Sequence, residues 1–290
     1  MSSLYKSEQG KLEILRLYDE KLEELNIQYT NMVVGTHFGE THIIRAGDLS
    51  NPPIIVVHGS NGCAPIALET YADLIDSFCV YAVDVLAQPN KSAETRLSMK
   101  DESYGQWMNE VIEKLELKNV ILAGFSFGGL VILKTLVNNE QNVKEVFLSA
   151  PAYIVNGNPI KALLKFFIPL KRYMKTKKTK YIERFLNNAF TQRDDFSFKY
   201  LSLVFSHFIM DFTPIPIIKA DEASKISTPI TLISANDDII FPGTKMIKRA
   251  KKIFPSLKQT LLLSDSKHVQ NTQDNKQIAA LILKSVHNMP

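Results

Sequence analysis

The most informative segment of the chain is "ILAGFSFGGL", residues 121–130. A run of apolar residues ends there in a single hydroxyl, Ser126, set among Gly124, Gly128 and Gly129. Glycine accepts backbone angles that other residues avoid, and it lets neighbouring backbone approach closely. Because apolar residues also continue after the glycines, the segment predicts a strand, a tight turn that presents Ser126, and then a helix.

Strands and helices alternate on both sides of this turn. Uninterrupted β-branched runs such as 54–57 are typical of strands buried on both faces of a parallel sheet. We predict strands in a hairpin within 31–47 and at 54–57, 78–85, 119–124, 143–151, 229–237 and 258–265, and helices within 1–30 and at 103–117, 127–139 and 274–289. This alternation predicts an α/β fold with a doubly wound, mostly parallel β-sheet and a functional site at the carboxyl ends of the strands.

Residues 152–227 interrupt the alternation. They carry apolar residues at helical spacing and nine of the sixteen phenylalanines of the chain. We therefore predict a core whose first part, with the N-terminal helix, is 1–151, a helical lid at 152–227, and a second part of the core at 228–290. Some of the phenylalanines are expected to line the Ser126 pocket beneath the lid and the others to pack within the lid itself, with no Arg or Lys at the site.

Composition limits the classes of function. The 290 residues are 45% hydrophobic and 22% charged, with a net charge of +4, and no apolar run approaches the ~20 residues of a membrane span. A nucleic-acid role would need a stronger basic footprint. The two cysteines, Cys63 and Cys79, form neither a disulfide framework nor a metal pattern. We expect a cytoplasmic protein without metal or cofactor.

A serine hydroxyl is a poor nucleophile unless a base takes its proton. Of the six histidines, His268 follows the last predicted strand and so lies at the same sheet edge as Ser126. His37 and His42 fall in the predicted hairpin and are expected at the surface, whereas His58 ends a buried strand and is expected to brace a turn. The pattern favours His268 as the base.

Such a base needs a carboxylate that fixes its tautomer. The strand at 229–237 runs into Asp237 and Asp238, and both acids lie at the right edge. A tetrahedral intermediate also needs hydrogen-bond donors for its oxyanion. The segment "HGSNG", residues 58–62, follows an earlier strand at that edge, so we predict the backbone amides of Ser60 and Phe127 as the oxyanion hole.

These segments resemble the α/β-hydrolase fold superfamily, and within it the bacterial lidded serine hydrolases of the carboxylesterase type. The resemblance covers most of the chain from about residue 30 and is carried by "HGSNG" at 58–62, "YAVDVLAQPNKS" at 81–92, "GFSFGG" at 124–129, "SANDDIIFP" at 234–242 and "SDSKH" at 264–268. In the family the acid stands four residues before a proline. Since Pro242 stands at that distance from Asp238, the resemblance favours Asp238 over Asp237. It also implies that Asp84 anchors a loop.

Two positions depart from the family pattern. Ala87 stands where related sequences often have glycine, and the acid loop reads "ANDD" rather than the usual G-E/R-x-D. The first lies outside the predicted triad, but the second could shift the acid by one residue.

The resemblance implies a serine hydrolase that cleaves an uncharged carboxylic ester, with a short-to-medium acyl or aryl group, through an acyl-enzyme. The alternatives are a ligand-binding or signalling protein that keeps the triad, and a cofactor-free lyase or peroxidase on the same fold. The expected partner is a small apolar ester and not nucleic acid, and the oligomeric state stays open. Membrane contact is not expected, because the basic segment 161–180 is interpreted as a solvated lid face with a buried underside.

Overall fold

The computed structural model describes residues 3–287, with the side chains of 285–287 left aside. The ends of the predicted first and last helices, at 1–2 and 288–289, lie outside these residues. Within residues 3–287, no helix is both long enough and apolar enough to span a bilayer.

The described residues form one eight-stranded sheet in the order β1-β2-β4-β3-β5-β6-β7-β8. Strands β1 and β2 form the predicted hairpin, β2 pairs antiparallel with β4, and the other neighbours are parallel. The prediction of a mostly parallel sheet is confirmed. The strands are β1 Tyr29–Thr36, β2 Gly39–Ala46, β3 Pro53–Val57, β4 Cys79–Val83, β5 Val120–Phe125, β6 Val143–Ser149, β7 Ile230–Ala235 and β8 Leu257–Leu263.

Helices cover both faces of this sheet. They are α1 Glu8–Glu24, α2 Ala64–Thr70, α3 Ser103–Lys114, α4 Phe127–Asn138, α5 Pro159–Ala162, α6 Ile168–Thr176, α7 Thr179–Ala189, α8 Asp195–His207, α9 Ala220–Ala223, α10 Gly243–Ile253 and α11 Thr272–His287, with a 3₁₀ turn at Ala72–Leu74 and a π-helical turn at Leu163–Phe167. The sequence did not predict α2 or α10. Helix α2 is only seven residues long, and α10 has only a narrow apolar stripe, at Met246, Ala250 and Ile253.

Two buried apolar clusters lie on opposite faces of the sheet, as a doubly wound fold requires. One contains residues of α3, α4 and α10, and the other contains residues of α1, α2 and α11. The four buried residues of β3 at 54–57 are fully shielded from solvent, which explains their uninterrupted β-branched sequence. Helices α6, α7 and α8 also contribute to the second cluster.

Asp84 anchors the loop that follows β4, as the resemblance implied. Its Oδ1 accepts a hydrogen bond from Ala64 N at 2.7 Å, and its Oδ2 accepts one from Tyr18 Oη at 2.9 Å. His42 Nδ1 lies 3.0 Å from the same Oδ2. The expectation that His42 is at the surface is therefore wrong: it is buried, because α1 covers this face of the hairpin.

Candidate active site

Ser126 occupies the turn between β5 and α4. Its backbone angles, φ 53° and ψ −112°, lie in a region that non-glycine residues seldom adopt and that often marks a functional site. The turn is held by hydrogen bonds on both sides: Ser126 N donates to Ser149 O at 3.0 Å, and Ser126 O accepts from Gly129 N and Ala152 N at 2.9 Å each. The sheet therefore fixes the direction in which the serine points.

Gly128 explains why small residues surround the serine. A Cβ atom at this position would lie 2.3 Å from Val57 O and 3.0 Å from His58 O. Because those are backbone atoms that cannot move aside, the first turn of α4 can pack against the end of β3 only with glycine at position 128. The glycines of the predicted turn thus serve close packing of backbone against backbone.

His268 lies in the loop between β8 and α11, with its Nε2 2.9 Å from Ser126 Oγ. The imidazole is 7% exposed and packs against two aromatic rings, with centroid distances of 5.1 Å to Phe125 and 5.4 Å to Phe241. The structure therefore brings the predicted nucleophile and base into hydrogen-bonding contact across 142 residues of sequence.

Asp238 lies on the other side of the imidazole, with Oδ2 2.7 Å from His268 Nδ1. Its Oδ1 accepts hydrogen bonds from Ile240 N at 2.7 Å and Phe241 N at 2.9 Å. Burial by itself raises the pKa of this carboxyl, but the His268 ring and the two amides outweigh it, so the pKa of Asp238 lies below its usual value. Asp238 is therefore held as a carboxylate beside the ring.

Asp237 lies elsewhere. Its side chain is exposed and accepts a hydrogen bond from Asn236 Nδ2 at 3.2 Å. Only the second of the two neighbouring acids turns into the interior, beside His268.

The loop after β3 passes directly over the serine. A Cβ atom on Gly59 would lie 3.2 Å from Ser126 Cβ, which places Ser60 beside the nucleophile. The loop is held in turn by Gln88, whose Oε1 accepts from Asn61 N at 2.7 Å. Phe127 is the first residue of α4, so its N–H has no preceding helical turn to receive it. Both residues whose amides were predicted as donors therefore belong to segments that adjoin Ser126.

Two adjoining cavities open at this site. The first, here called the Ser126 cavity, has a volume of about 330 Å³ and contains Ser126 and His268 in its wall. The second, here called the Phe127 cavity, has a volume of about 410 Å³ and contains Phe127 but neither Ser126 nor His268. Both are mostly apolar, and they share the wall residues Ser60, Asn61, Ile215, Ile240 and Phe241.

The phenylalanines of 152–227 divide between cavity lining and packing within the insertion. Of the nine phenylalanines in 152–227, Phe185, Phe190 and Phe205 line the Ser126 cavity, and Phe167 and Phe212 line the Phe127 cavity. The other four line neither: Phe166, Phe196, Phe198 and Phe208. Phe196, Phe198 and Phe208 belong to the apolar cluster that includes α1, and the Phe166 ring packs edge-on against Phe185 at 5.6 Å. Short helices of this kind need such tertiary contacts.

The expectation that the site holds no Arg or Lys is wrong. Arg96 lines the Phe127 cavity, with its Nε 3.9 Å from Asp211 Oδ2. It arrives from the long loop before α3, a segment that the sequence did not associate with the site.

Two further polar residues at the site were missed by sequence reasoning. Gln88 holds the loop of Ser60, and Thr191 bonds to both neighbours of His268. Each acts over a contact between segments distant in sequence. No local motif marks either residue, so only the resemblance segment 81–92 could have drawn attention to Gln88.

Comparison with known proteins gives a consistent picture of the fold. A family model described as the alpha/beta hydrolase fold matches residues 52–208. The chain is 30% identical over 141 residues to carboxylesterase YbfK of Bacillus subtilis and 26% identical over 151 residues to the uncharacterized carboxylesterase nap of the same organism. These matches span 49% and 52% of this chain but only 48% and 50% of the relatives.

The likeness of structure extends much further than that of sequence. The crystal structure of naproxen esterase from Bacillus subtilis superimposes with a TM-score of 0.83 at 19% identity, covering 96% of this chain and 99% of that one. Carboxylesterase CesB (YbfK) from the same organism gives a TM-score of 0.81 at 20% identity. At these identities, the likeness concerns the arrangement of the backbone.

Proposed function

The chain belongs to the α/β hydrolase fold family, and from that premise we propose that it is a serine hydrolase of uncharged carboxylic esters. The observation that carries the proposal is the buried chain of contacts from Asp238 Oδ2 through the His268 ring to Ser126 Oγ, at 2.7 Å and 2.9 Å. The named relatives are carboxylesterases, which supports an ester as the substrate.

In the proposed reaction, Ser126 Oγ attacks the ester carbonyl carbon while His268 Nε2 takes the hydroxyl proton. The tetrahedral intermediate then collapses, the bond to the alcohol oxygen breaks, and His268 returns the proton to that oxygen. A water molecule, deprotonated by His268, attacks the acyl-enzyme and releases the carboxylic acid and Ser126. Asp238 stays ionised throughout and stabilises the imidazolium.

The amides of Ser60 and Phe127 are proposed to bind the oxyanion of both intermediates. The start of α4 adds the positive end of a helix dipole, which favours negative charge at that point. Loss of one such donor typically costs about 3 kcal/mol of transition-state stabilisation. Because these are backbone groups, side-chain substitution does not remove them, and their contribution depends on the loop that Gln88 holds.

The position of His268 orients the substrate. The departing alcohol oxygen must lie within reach of His268 Nε2, and that atom belongs to the wall of the Ser126 cavity. We therefore assign the alcohol portion to the Ser126 cavity and the acyl portion to the Phe127 cavity. The mostly apolar walls of both favour uncharged groups, because their burial is worth about 0.8 kcal/mol per CH₂.

We propose that residues 152–227 act as the lid over this site. They supply part of the wall of each cavity, including Phe185 and Phe205 in the Ser126 cavity and Phe167 in the Phe127 cavity. The remaining ranges, 1–151 and 228–290, then form the two parts of the hydrolase core.

The test is a series of p-nitrophenyl esters, from acetate to octanoate, with the wild type and Ser126→Ala. We expect kcat/KM to rise roughly tenfold for each two methylenes until the cavity is full, and the Ser126→Ala activity to vanish. A fluorophosphonate probe with peptide mapping should label Ser126 alone. Binding of esters without turnover, or a label elsewhere, would contradict the proposal and favour a ligand-binding protein.

A further inference from the structure

The helical segment 159–176 has two apolar faces. It comprises α5, the π-helical turn and α6, and its inner face buries Phe166, Leu170 and Tyr173. The outer face carries Ile160, Leu163, Leu164 and Phe167, with exposed fractions of 67%, 50%, 50% and 43%. This i, i+3, i+4, i+7 spacing is the one that surface helices normally turn toward a core. Here it faces solvent, so the segment has the predicted buried underside, but its solvated face is also apolar.

Positive charge surrounds this outer face. Between residues 159 and 182 the chain has eight Lys and Arg residues and no Asp or Glu. Lys161 and Lys165 alternate with the exposed apolar residues, and Lys171 Nζ lies 4.5 Å from the ring centroid of Phe212 beside Phe167. Asp211, the acid next to Phe212, lies within 3.9 Å of Arg96. The charge of the segment is therefore complementary to an anionic surface.

The outer face also adjoins the entrance to the site. Pro159, Ala162 and Phe167 of the same segment line the Phe127 cavity, and so do Ser60 and Phe127, whose amides form the proposed oxyanion hole. A surface on which this segment rests would therefore lie next to the mouth through which an apolar substrate enters.

We propose that the outer face of segment 159–176 docks on an anionic lipid bilayer. Leu163, Leu164 and Ile160 insert among the acyl chains, while Lys161, Lys165 and the cations of α6 contact the phosphates, as in amphipathic helices that lie in the interface. The bound protein then presents the Phe127 cavity to apolar esters dissolved in the membrane.

The test is co-sedimentation with phosphatidylcholine vesicles and with mixed phosphatidylcholine and phosphatidylglycerol vesicles. The wild type should pellet only with the anionic vesicles, and added salt should release it. Leu163→Ser with Leu164→Ser should weaken binding by about tenfold for each leucine, and Lys161→Gln with Lys165→Gln by about fivefold for each lysine. Matched controls are Leu12→Ser, an exposed leucine on α1, and Lys251→Gln with Lys252→Gln on α10; these should bind as the wild type does.

All variants should hydrolyse a water-soluble ester at the wild-type rate, which verifies folding and separates this proposal from the proposed function. The proposal would be overturned if the wild type did not sediment with anionic vesicles, or if the leucine variants bound them as strongly as the wild type does. Light scattering would overturn it in another way, by showing a dimer that dissociates on Leu163→Ser, since a second copy would then cover the face.

A second, independent observation concerns Thr191, in the linker between α7 and α8. Its backbone N donates to Val269 O at 2.9 Å and its Oγ1 donates to the same oxygen at 2.8 Å. The Oγ1 also accepts from Lys267 N at 2.9 Å. A further bond, from Val269 N to Ala189 O at 2.8 Å, completes the clamp. Thr191 therefore binds the residues on both sides of His268.

We infer that Thr191 is a positioning residue for the base, an inference that rests on the proposed function. The loop of His268 has no regular structure of its own between β8 and α11, so the Thr191 hydroxyl supplies the acceptor for Lys267 N and a second donor to Val269 O. Replacing Thr191 by valine keeps the shape and removes the hydroxyl, which frees the loop and shifts the His268 ring from Ser126 Oγ.

Thr191→Val should lower kcat about tenfold with little change of KM, because proton transfer depends steeply on geometry. Thr191→Ser should restore most of the rate. Thr176→Val is the matched control in the same insertion, since its hydroxyl bonds only locally, to Arg172 O and Lys178 N at the end of α6, and it should leave kcat unchanged. The rate of fluorophosphonate labelling of Ser126 should follow the same order. Equal labelling of Thr191→Val and the wild type would overturn the inference, whereas a wild type that labels but hydrolyses no ester would contradict only the proposed function.

Discussion

Replacing Asp238 by asparagine tests the proposed role of the acid with almost no change of shape. Oδ1 of Asp238 accepts two backbone N–H groups, at 2.7 Å and 2.9 Å, whereas Oδ2 faces only His268 Nδ1. An amide NH₂ group cannot face two donors, so the asparagine oxygen must take the place of Oδ1. The NH₂ group then points at His268 Nδ1.

This orientation reverses the tautomer of the base. With a donor facing it, Nδ1 must accept, so the ring proton moves to Nε2, which is 2.9 Å from Ser126 Oγ. A protonated Nε2 cannot take the serine proton. The equivalent change in a serine protease lowers kcat about 10⁴-fold, which corresponds to about 5.4 kcal/mol of barrier. We expect a loss of that order, with KM nearly unchanged.

The assay is steady-state hydrolysis of p-nitrophenyl butyrate by the wild type, Asp238→Asn and the neighbouring Asp237→Asn. Asp237 is exposed and its side chain bonds only to the neighbouring Asn236, so its substitution should change kcat by less than about twofold. A larger loss at Asp237 than at Asp238 would refute the reasoning and move the acid by one position. A loss below tenfold at Asp238 would show that the His268 tautomer does not depend on it.

Three other outcomes are expected. Burial raises the pKa of Asp238, but the His268 ring and two amides outweigh it and lower the pKa below the ordinary value of 3.8. The carboxylate therefore stabilises the fold fully above pH 3.8, and this stabilisation is lost as the pH falls through the lower folded pKa. The difference in unfolding free energy between the wild type and Asp238→Asn should be constant above about pH 5 and shrink below 3.8. Gly128→Ala should lower the free energy of urea unfolding by about 1–3 kcal/mol or more, because its Cβ would meet Val57 O at 2.3 Å, whereas Gly35→Ala, with open space around it, should not. Burial raises the pKa of the Cys63 thiol, with the Asp84 charge adding to it, so Ellman's reagent should not modify Cys63 in the native protein but should modify both cysteines in guanidinium; rapid native reaction at Cys63 would contradict this packing.

Local sequence was enough to predict the eight strands and the turn at Ser126. The central strands β3 and β4 are short runs rich in β-branched residues, whose burial on both faces demands continuous apolarity, as at 54–57. The glycines around Ser126 mark a backbone that passes close to other backbone, and this requirement is visible in the sequence itself. Among the six histidines, His268 could be predicted as the base because it follows a strand, and the carboxyl ends of parallel strands meet at one edge of the sheet. Helices α2 and α10 were missed because their apolar signals are short or narrow.

The sequence by itself therefore determined the fold class, the order of the strands and the loops that meet at the carboxyl edge, since these depend on periodicity within a few residues. Only the tertiary structure decided what depends on contacts between distant segments. It turned Asp238 rather than Asp237 toward His268, buried His42 under α1, brought Arg96 to the Phe127 cavity, and joined Thr191 to the loop of the base. It also decided which apolar face of 159–176 is buried. Amphipathic spacing shows that a face is apolar, but whether another element covers that face is set by packing across the whole molecule.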